Sequence, residues 1–446
     1  MKPPSLVVGF GITGRAVAGA LARRGHAVIA VDDRPTDVHR AAAADLGIEL
    51  VAAPDEARLD AFVAGAAELL PAPGLPDHHP AFAAAARHGI AVRSEFDLAA
   101  RWDQRPMVAV TGTDGKTTVT MLAAEMLKAS GVEAAAVGNT ETPLVTAIDD
   151  PTVDVFVVEA SSFRLLHSER FAPRVATWLN LAPDHLDNHR SLVDYEQAKA
   201  RIWRDQTAAD VAVGNADDAV VLGHLRLAPA QQRTFAVGSA ADWRVEGGWL
   251  TGPEVGPFVA VDELPRRFAH DLANALAAAA TVVPVGATAA GCAEALRRFR
   301  GLPHRLALVT EAGGIRWYDS SKATTPHAAL NDASVLGPAV LIAGGRNKGL
   351  DLSVLTSAAS VRAVVAIGEA AAEVASAFAG VRPVIEAGSM AEAVAAAAAL
   401  ADRGDAVVLA PGCASFDWYG SYGERGDDFA HCVLALVGER RGVGES

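Results

Sequence analysis

At 446 residues with a formal net charge of −14, the chain exceeds one ordinary folding core and lacks the basic balance of a nucleic-acid binder. It is 51% hydrophobic, largely through alanine in helical stretches such as Ala393–Leu400. No run reaches the ~20 strongly apolar residues of a spanning helix, so neither nucleic acid nor membrane is expected as a partner. Cys292, Cys413 and Cys432 stand far apart, without metal-ligand spacing, and read as small buried side chains in a reducing compartment. The opening Met1-Lys2-Pro3-Pro4 leads into a short strand and a glycine turn, not the apolar segment and cleavage site of a signal peptide. A cytoplasmic location is therefore expected.

In chain order, Leu6–Gly9 reads as the first strand and Ala27–Val31 as the second, with a helix between. The intervening turn is Gly9-Phe10-Gly11-Ile12-Thr13-Gly14, and Asp32-Asp33 closes the second strand. Taken alone this is a dinucleotide fingerprint, with a carboxylate placed for a ribose hydroxyl. It supports a nicotinamide-type reading, any other nucleotide diphosphate, or a purely structural turn. The segment Asp97 to Pro106 reads as a boundary before a new strand at Met107.

That strand runs into Gly112-Thr113-Asp114-Gly115-Lys116-Thr117-Thr118, and a helix follows through Leu127. Strand, glycine turn and helix in that order build a phosphate cradle. Backbone N–H groups and the helix N-terminus face an anion, the lysine adds charge, and the next hydroxyl suits Mg²⁺. The loop departs from the common spacing, because Val110 stands where the first glycine is usual. ATP or GTP is the expected ligand.

Asp154–Val158 reads as a buried strand ending at Glu159-Ala160-Ser161-Ser162. A carboxylate at a strand's C-terminal end suits Mg²⁺ as readily as solvent. Strand-like Val175–Leu179 leads to Asn180-Leu181-Ala182-Pro183-Asp184-His185-Leu186-Asp187, where a histidine joins an amide and two carboxylates. Tyr195 and Lys199 lie four apart on one helix face. Spacing alone makes Lys199 a solvated lysine.

A second boundary falls at Arg300–Pro303, and strands recur at Ala339–Ala343, Ala363–Ile367 and Ala406–Ala410. The alternation predicts an α/β chain of parallel sheets covered by helices. Three domains are expected: a Rossmann-like N-terminal domain (1–103), a central P-loop ATPase-type parallel-sheet domain (104–300) and a C-terminal Rossmann-like α/β domain (301–446).

Together these segments resemble the muramyl ligases, the ATP-dependent enzymes that add amino acids to the peptidoglycan precursor. The resemblance rests on Gly112–Thr118, Glu159–Phe163, Asn180–Asp187 and Tyr195–Lys199. Gly301–Arg305, Asp319–Thr324, Pro411–Asp417, Pro73-Gly74 and the first glycine turn extend it over nearly the whole chain. It implies amide formation between UDP-N-acetylmuramoyl-L-alanine and D-glutamate through an acyl phosphate, with ATP and Mg²⁺, at two metal sites, as cofactors, in a monomer.

The resemblance further implies roles residue by residue. Gly112, Thr113, Asp114, Gly115, Lys116, Thr117, Thr118, Asn274, Arg305 and Asp319 would bind ATP. Thr117, Glu159, His185 and Lys199 would hold metal, with Lys199 carbamylated, and Lys116, Glu159, His185 and Lys199 would be catalytic. Ile12, Thr13, Asp32, Asp33, Arg34, Gly74, Asn139 and His185 would meet the UDP-substrate. Lys322, Thr324, Lys348, Ser415 and Tyr422 would meet D-glutamate. Ala72, Asp114 and Arg164 depart from the family pattern, where serine, asparagine and glutamine are commoner. A folylpolyglutamate synthase, a nicotinamide oxidoreductase and a nucleotide-dependent switch remain the alternatives.

Overall fold

The structure is a computed structural model and describes residues 3–140, 142–184 and 188–443. It divides into two compact units, Met1–Phe299 and Arg300–Ser446.

The first unit opens with β1 (Ser5–Val8), β2 (Val28–Asp32), β3 (Glu49–Ala52) and β4 (Glu68–Pro71). They form a parallel sheet in the order β3-β2-β1-β4. The order reverses between β1 and β4, so the crevice beyond their C-terminal ends is where a ligand can enter such a sheet. The glycine turn stands there. Gly9 has φ +87°, and a Cβ on it would lie 2.7 Å from the Ala72 Cβ. Any side chain at Gly9 would therefore force β1 and the end of β4 apart.

The segment read as a boundary contains most of the helix Glu95–Trp102, and residues 103–106 join it to the strand that starts at Met107. Ser94 and Asp97 form a capping box at the helix start. Asp97 is buried and also accepts the N–H groups of Glu169 and Arg170, which pins the helix to a later part of the chain.

A six-stranded parallel sheet follows: β5 (Met107–Thr111), β6 (Ala134–Gly138), β7 (Val155–Glu159), β8 (Val175–Trp178), β9 (Val211–Asn215) and β10 (Gln231–Phe235). The order is β10-β9-β8-β5-β7-β6. Side chains alternate across it. Val108 and Val110 pack beneath the helices Lys116–Ala129 and Ala269–Val282, whereas Ala109 joins Phe156, Trp178 and Trp203 on the other face. Burial on both faces fixes the edge from which the β5 loop emerges.

Two elements have no counterpart in the expectations. One is the antiparallel sheet of β11 (Arg244–Glu246), β12 (Trp249–Gly252) and β13 (Gly256–Ala260). The other is the hairpin of β14 (Ala307–Ala312) and β15 (Ile315–Asp319). Each hairpin turns on a glycine pair, Gly247-Gly248 at φ +57° and +81° and Gly313-Gly314 at +62° and +81°. Such turns want positive φ at both central residues.

In the second unit, β15 continues into β16 (Ala339–Gly344), β17 (Val361–Ile367), β18 (Val384–Ala387) and β19 (Ala406–Leu409). The sheet runs β14-β15-β19-β16-β17-β18, parallel except at the β14 edge. Val340, Ile342, Val407 and Leu409 pack with Phe429 and Val433 of its last helix. Among the described residues no helix is long and apolar enough to cross a membrane.

Candidate active site

The loop after β5 is shaped by glycine. Gly115 sits at φ +85° as the N-cap of the helix Lys116–Ala129, and a Cβ there would lie 2.7 Å from the Asn274 Oδ1. The cap offers no side chain, which leaves the helix's first N–H groups for an anion. Asn274 is thus brought against the loop.

Asn180, after β8, clasps the same loop. Its Oδ1 accepts the N–H groups of Thr113 and Asp114 at 2.9 Å each, and its Nδ2 donates to the Asp114 carbonyl at 3.1 Å. The Thr113 hydroxyl donates to the Ala182 carbonyl and lies 3.2 Å from the Tyr195 hydroxyl. Lys116 folds back, donating to the carbonyls of Gly112 and Thr113 at 2.8 and 2.7 Å.

Lys199 is not solvated. It is 1% exposed, its Nζ donates to the Gly112 carbonyl at 2.6 Å, and it lies 4.4 Å from the Tyr195 ring centroid. The Gly112 carbonyl therefore receives both lysines. Burial, and then the charge of Lys116, hold the Lys199 amine well below the usual lysine range. This helix carries polar residues around most of its girth, so its sequence does not reveal which face is buried.

Glu159 ends β7 beside Val110 of β5. It is 2% exposed; its Oε1 accepts from the Asn139 amide at 3.0 Å, and its Oε2 has no hydrogen-bond partner among the described residues. A buried carboxylate oxygen left this way is costly unless a cation completes it. The donor set fits Mg²⁺, which takes one or two carboxylates and completes its shell with substrate phosphates and water. Among the described residues no three His, Cys, Asp or Glu side chains converge on one point. Glu159 and the Thr117 hydroxyl would supply the protein's share. Asn139, expected at the substrate, stands beside this carboxylate through that amide hydrogen bond. His185 lies outside the described residues.

At the first sheet, Ile12 stands exposed at the helix start and Gly74 lies just beyond β4. Asp32 holds the turn: its Oδ2 accepts the Phe10 N–H at 2.6 Å and its Oδ1 the Arg34 N–H at 2.9 Å. Both oxygens hold the turn in shape, and Asp33 is the exposed carboxylate.

Two residues that spacing did not single out as functional tie the first unit together. Arg164 is buried, donates to the Thr13 hydroxyl at 3.0 Å and pairs with Glu95. Its sequence signals were a charge inside Phe163–Leu166 and the departure from the glutamine commoner in the family. His189 is buried, stacks on Phe163 with ring centroids 5.0 Å apart and meets the Ser162 hydroxyl at 2.9 Å.

The second unit holds Arg305, Asp319 and the expected amino-acid contacts. Asp319 is buried and lies 2.6 Å from His304 Nδ1, and its Oδ1 accepts the Ser321 N–H. Lys322 Nζ sits 3.8 Å from the Tyr422 ring centroid. The Ser321 hydroxyl donates to the Tyr422 carbonyl, so Tyr422 and the Asp319–Thr324 segment meet. Paired backbone bonds between Arg346 and Ala414 draw the loop of Lys348 beside Ser415. Thr324 follows Lys322 through a backbone bond to its carbonyl. Arg425, not anticipated, is 1% exposed and donates to the Ser321 hydroxyl and to the carbonyls of Ser321 and Cys413.

Residues 110–282 match the family described as Mur ligase middle domain, and residues 304–413 match Mur ligase, glutamate ligase domain. The chain is 42% identical to the UDP-N-acetylmuramoylalanine--D-glutamate ligase of Frankia casuarinae, over 98% of this chain and 94% of that one. It is 38% identical to the enzyme of the same name from Desulfosudis oleivorans, over 97% and 96%. Among solved structures, the UDP-N-acetylmuramate-alanine ligase of Thermotoga maritima superposes with a TM-score of 0.59 at 19% identity, covering 97% and 99% of the two chains. A pseudomurein peptide ligase type C from Methanothermus fervidus gives 0.61 at 18% identity, covering 97% and 100%.

Proposed function

The chain belongs to the Mur ligase family, and from that premise we propose that it joins D-glutamate to UDP-N-acetylmuramoyl-L-alanine, with ATP converted to ADP and phosphate. The observation that carries this reading is the buried, half-satisfied Glu159 beside a phosphate loop already clasped by Asn180. The substrates are those in the names of the Frankia casuarinae and Desulfosudis oleivorans ligases, which this chain matches over nearly its whole length.

A carboxylate is a poor acyl donor. Phosphoryl transfer to the L-alanyl carboxylate makes phosphate a leaving group. The D-glutamate amine then attacks the acyl carbon, the C–N bond forms, the C–O bond to phosphate breaks with its electron pair, and the amine loses a proton. The chain's part is positioning and charge neutralisation. Backbone N–H groups from Gly112 to Thr118 would hold the phosphates. Lys116 would leave the Gly112 and Thr113 carbonyls to meet them. Asn274, Arg305 and Asp319 would complete the ATP site.

Thr117 and Glu159 would hold one Mg²⁺, and His185 and Lys199 a second. When bound, the metal neutralises charge on the transferring phosphoryl oxygens. Lys199 would serve as a carbamate: its neutral amine adds to carbon dioxide, an N–C bond forms and a proton goes to solvent. Burial and the neighbouring Lys116 favour the neutral amine this needs.

Residues 1–103 would hold the UDP end through Ile12, Thr13, Asp32, Asp33, Arg34 and Gly74, with Asn139 and His185 toward the sugar-peptide portion; Asp32 also shapes the turn and Asn139 also holds Glu159. Residues 104–300 would bind ATP. Residues 301–446 would bind D-glutamate through Lys322, Thr324, Lys348, Ser415 and Tyr422, whose cations and donors suit a dicarboxylate. The protein would act as a cytoplasmic monomer.

Product mass tests the reading. With ATP, Mg²⁺ and the acceptor, D-glutamate should yield an acceptor heavier by one glutamyl residue. The same product from L-glutamate alone would move the specificity, and no product with either would refute the assignment.

A further inference from the structure

We propose that His79 is a positioning residue that presents Asp33 to a ribose hydroxyl of the acceptor's nucleoside; this rests on the reading that the first sheet binds the UDP end. His79 is buried and caps the helix Pro80–His88. Its Nδ1 accepts the Ala81 N–H at 3.2 Å, so that nitrogen carries no proton. The ring proton therefore sits on Nε2, which lies 3.2 Å from Asp33 Oδ2 and donates to it. The cap thus fixes both the tautomer and the ring orientation.

The contact spans the ligand end of the sheet. His79 comes from the connection after β4 and Asp33 follows β2, and the β1 glycine turn lies between those strands. Asp32 is spent on the backbone N–H groups of Phe10 and Arg34. Asp33 is 58% exposed, and it is Oδ2 that His79 engages, which leaves Oδ1 to accept from a ligand. An ionised acceptor held in one rotamer binds a hydroxyl without first losing side-chain freedom.

The test titrates UDP, 2′,3′-dideoxy-UDP and ADP into the full chain by calorimetry. His79→Asn keeps an oxygen acceptor for the Ala81 N–H but is too short to reach Asp33. It should weaken UDP about tenfold, the factor that 1.4 kcal/mol carries. ADP binding and the melting temperature should be unchanged. Asp33→Ala, which leaves the cap intact, should show the same loss and abolish the preference for UDP over the dideoxy analogue. The double variant should bind no worse than Asp33→Ala.

Wild-type UDP binding with His79→Asn unchanged overturns the proposal, and so does a dideoxy preference that survives Asp33→Ala. If His79→Asn melts lower, Asp33→Ala decides. Absence of UDP binding by the wild type would instead refute the placement of the UDP end.

Discussion

Replacing Asn180 by alanine tests whether the phosphate loop is preorganised from outside itself. The side chain makes three hydrogen bonds to the loop, two accepted from Thr113 and Asp114 and one donated to the Asp114 carbonyl. Each is worth about 1 kcal/mol net, because water can replace part of it in this half-buried position. Thr113 keeps its backbone bond to the Asn180 carbonyl and its hydroxyl bond to Ala182. The loop should therefore loosen around Asp114 without unfolding. The expected loss is about 1.5–3 kcal/mol, or roughly 10- to 150-fold in kcat/KM for ATP. The KM for the UDP-linked acceptor should stay within about twofold. Asn180→Asp keeps an acceptor but loses the donor and sets a negative charge beside the phosphates, so it should fare no better than alanine. Initial rates of phosphate release with ATP varied and both other substrates saturating measure this. An unchanged kcat/KM for ATP, or an equal rise in the acceptor's KM, would refute the reasoning.

Three further outcomes follow from the same geometry. Glu159→Gln is nearly isosteric and preserves an acceptor for Asn139, so the fold should keep its melting temperature while phosphate release falls on the order of 10²-fold; wild-type turnover at saturating Mg²⁺ would contradict the metal role. Burial holds the folded Lys199 amine well below the usual lysine pKa of about 10.4, so between the folded and unfolded values the unfolded chain binds the extra proton and stability rises with pH. Lys199→Met should remove that rise in urea midpoints of the ligand-free protein held free of carbon dioxide, and an identical pH slope in both proteins would show the amine to be unperturbed. Arg164→Ala strands buried Glu95 and should cost about 3–5 kcal/mol, whereas Arg164→Gln with Glu95→Gln should recover most of it; equal urea stability of the single and double variants would mean the pair is not buried.

The phosphate loop was legible because its chemistry is local. A strand, a glycine at positive φ and a helix start are contiguous in sequence, and only backbone geometry is needed to make the cradle. Glu159 was legible as a strand end, but its orphaned oxygen was not, since burial is decided by β5 and the Asn139 loop. Lys199 was misread for the same reason: what buries it is packing from distant segments, which leaves no periodic trace in its own helix. Asp32 illustrates the converse. The fingerprint placed a carboxylate correctly at the end of β2, but did not show that the turn's own N–H groups donate to both of its oxygens while Asp33 stands more exposed. The two glycine-pair hairpins were readable from Gly247-Gly248 and Gly313-Gly314. Short strands with weak alternation hid them among the helices.

The most direct test of the account follows one oxygen atom. UDP-N-acetylmuramoyl-L-alanine labelled with ¹⁸O in the alanyl carboxylate is turned over with ATP, Mg²⁺ and D-glutamate, and the released phosphate is analysed by mass. An acyl phosphate formed at the Lys116–Glu159 site predicts one ¹⁸O in each phosphate from fully labelled acceptor. Phosphate free of label, with amide product still formed, would contradict it.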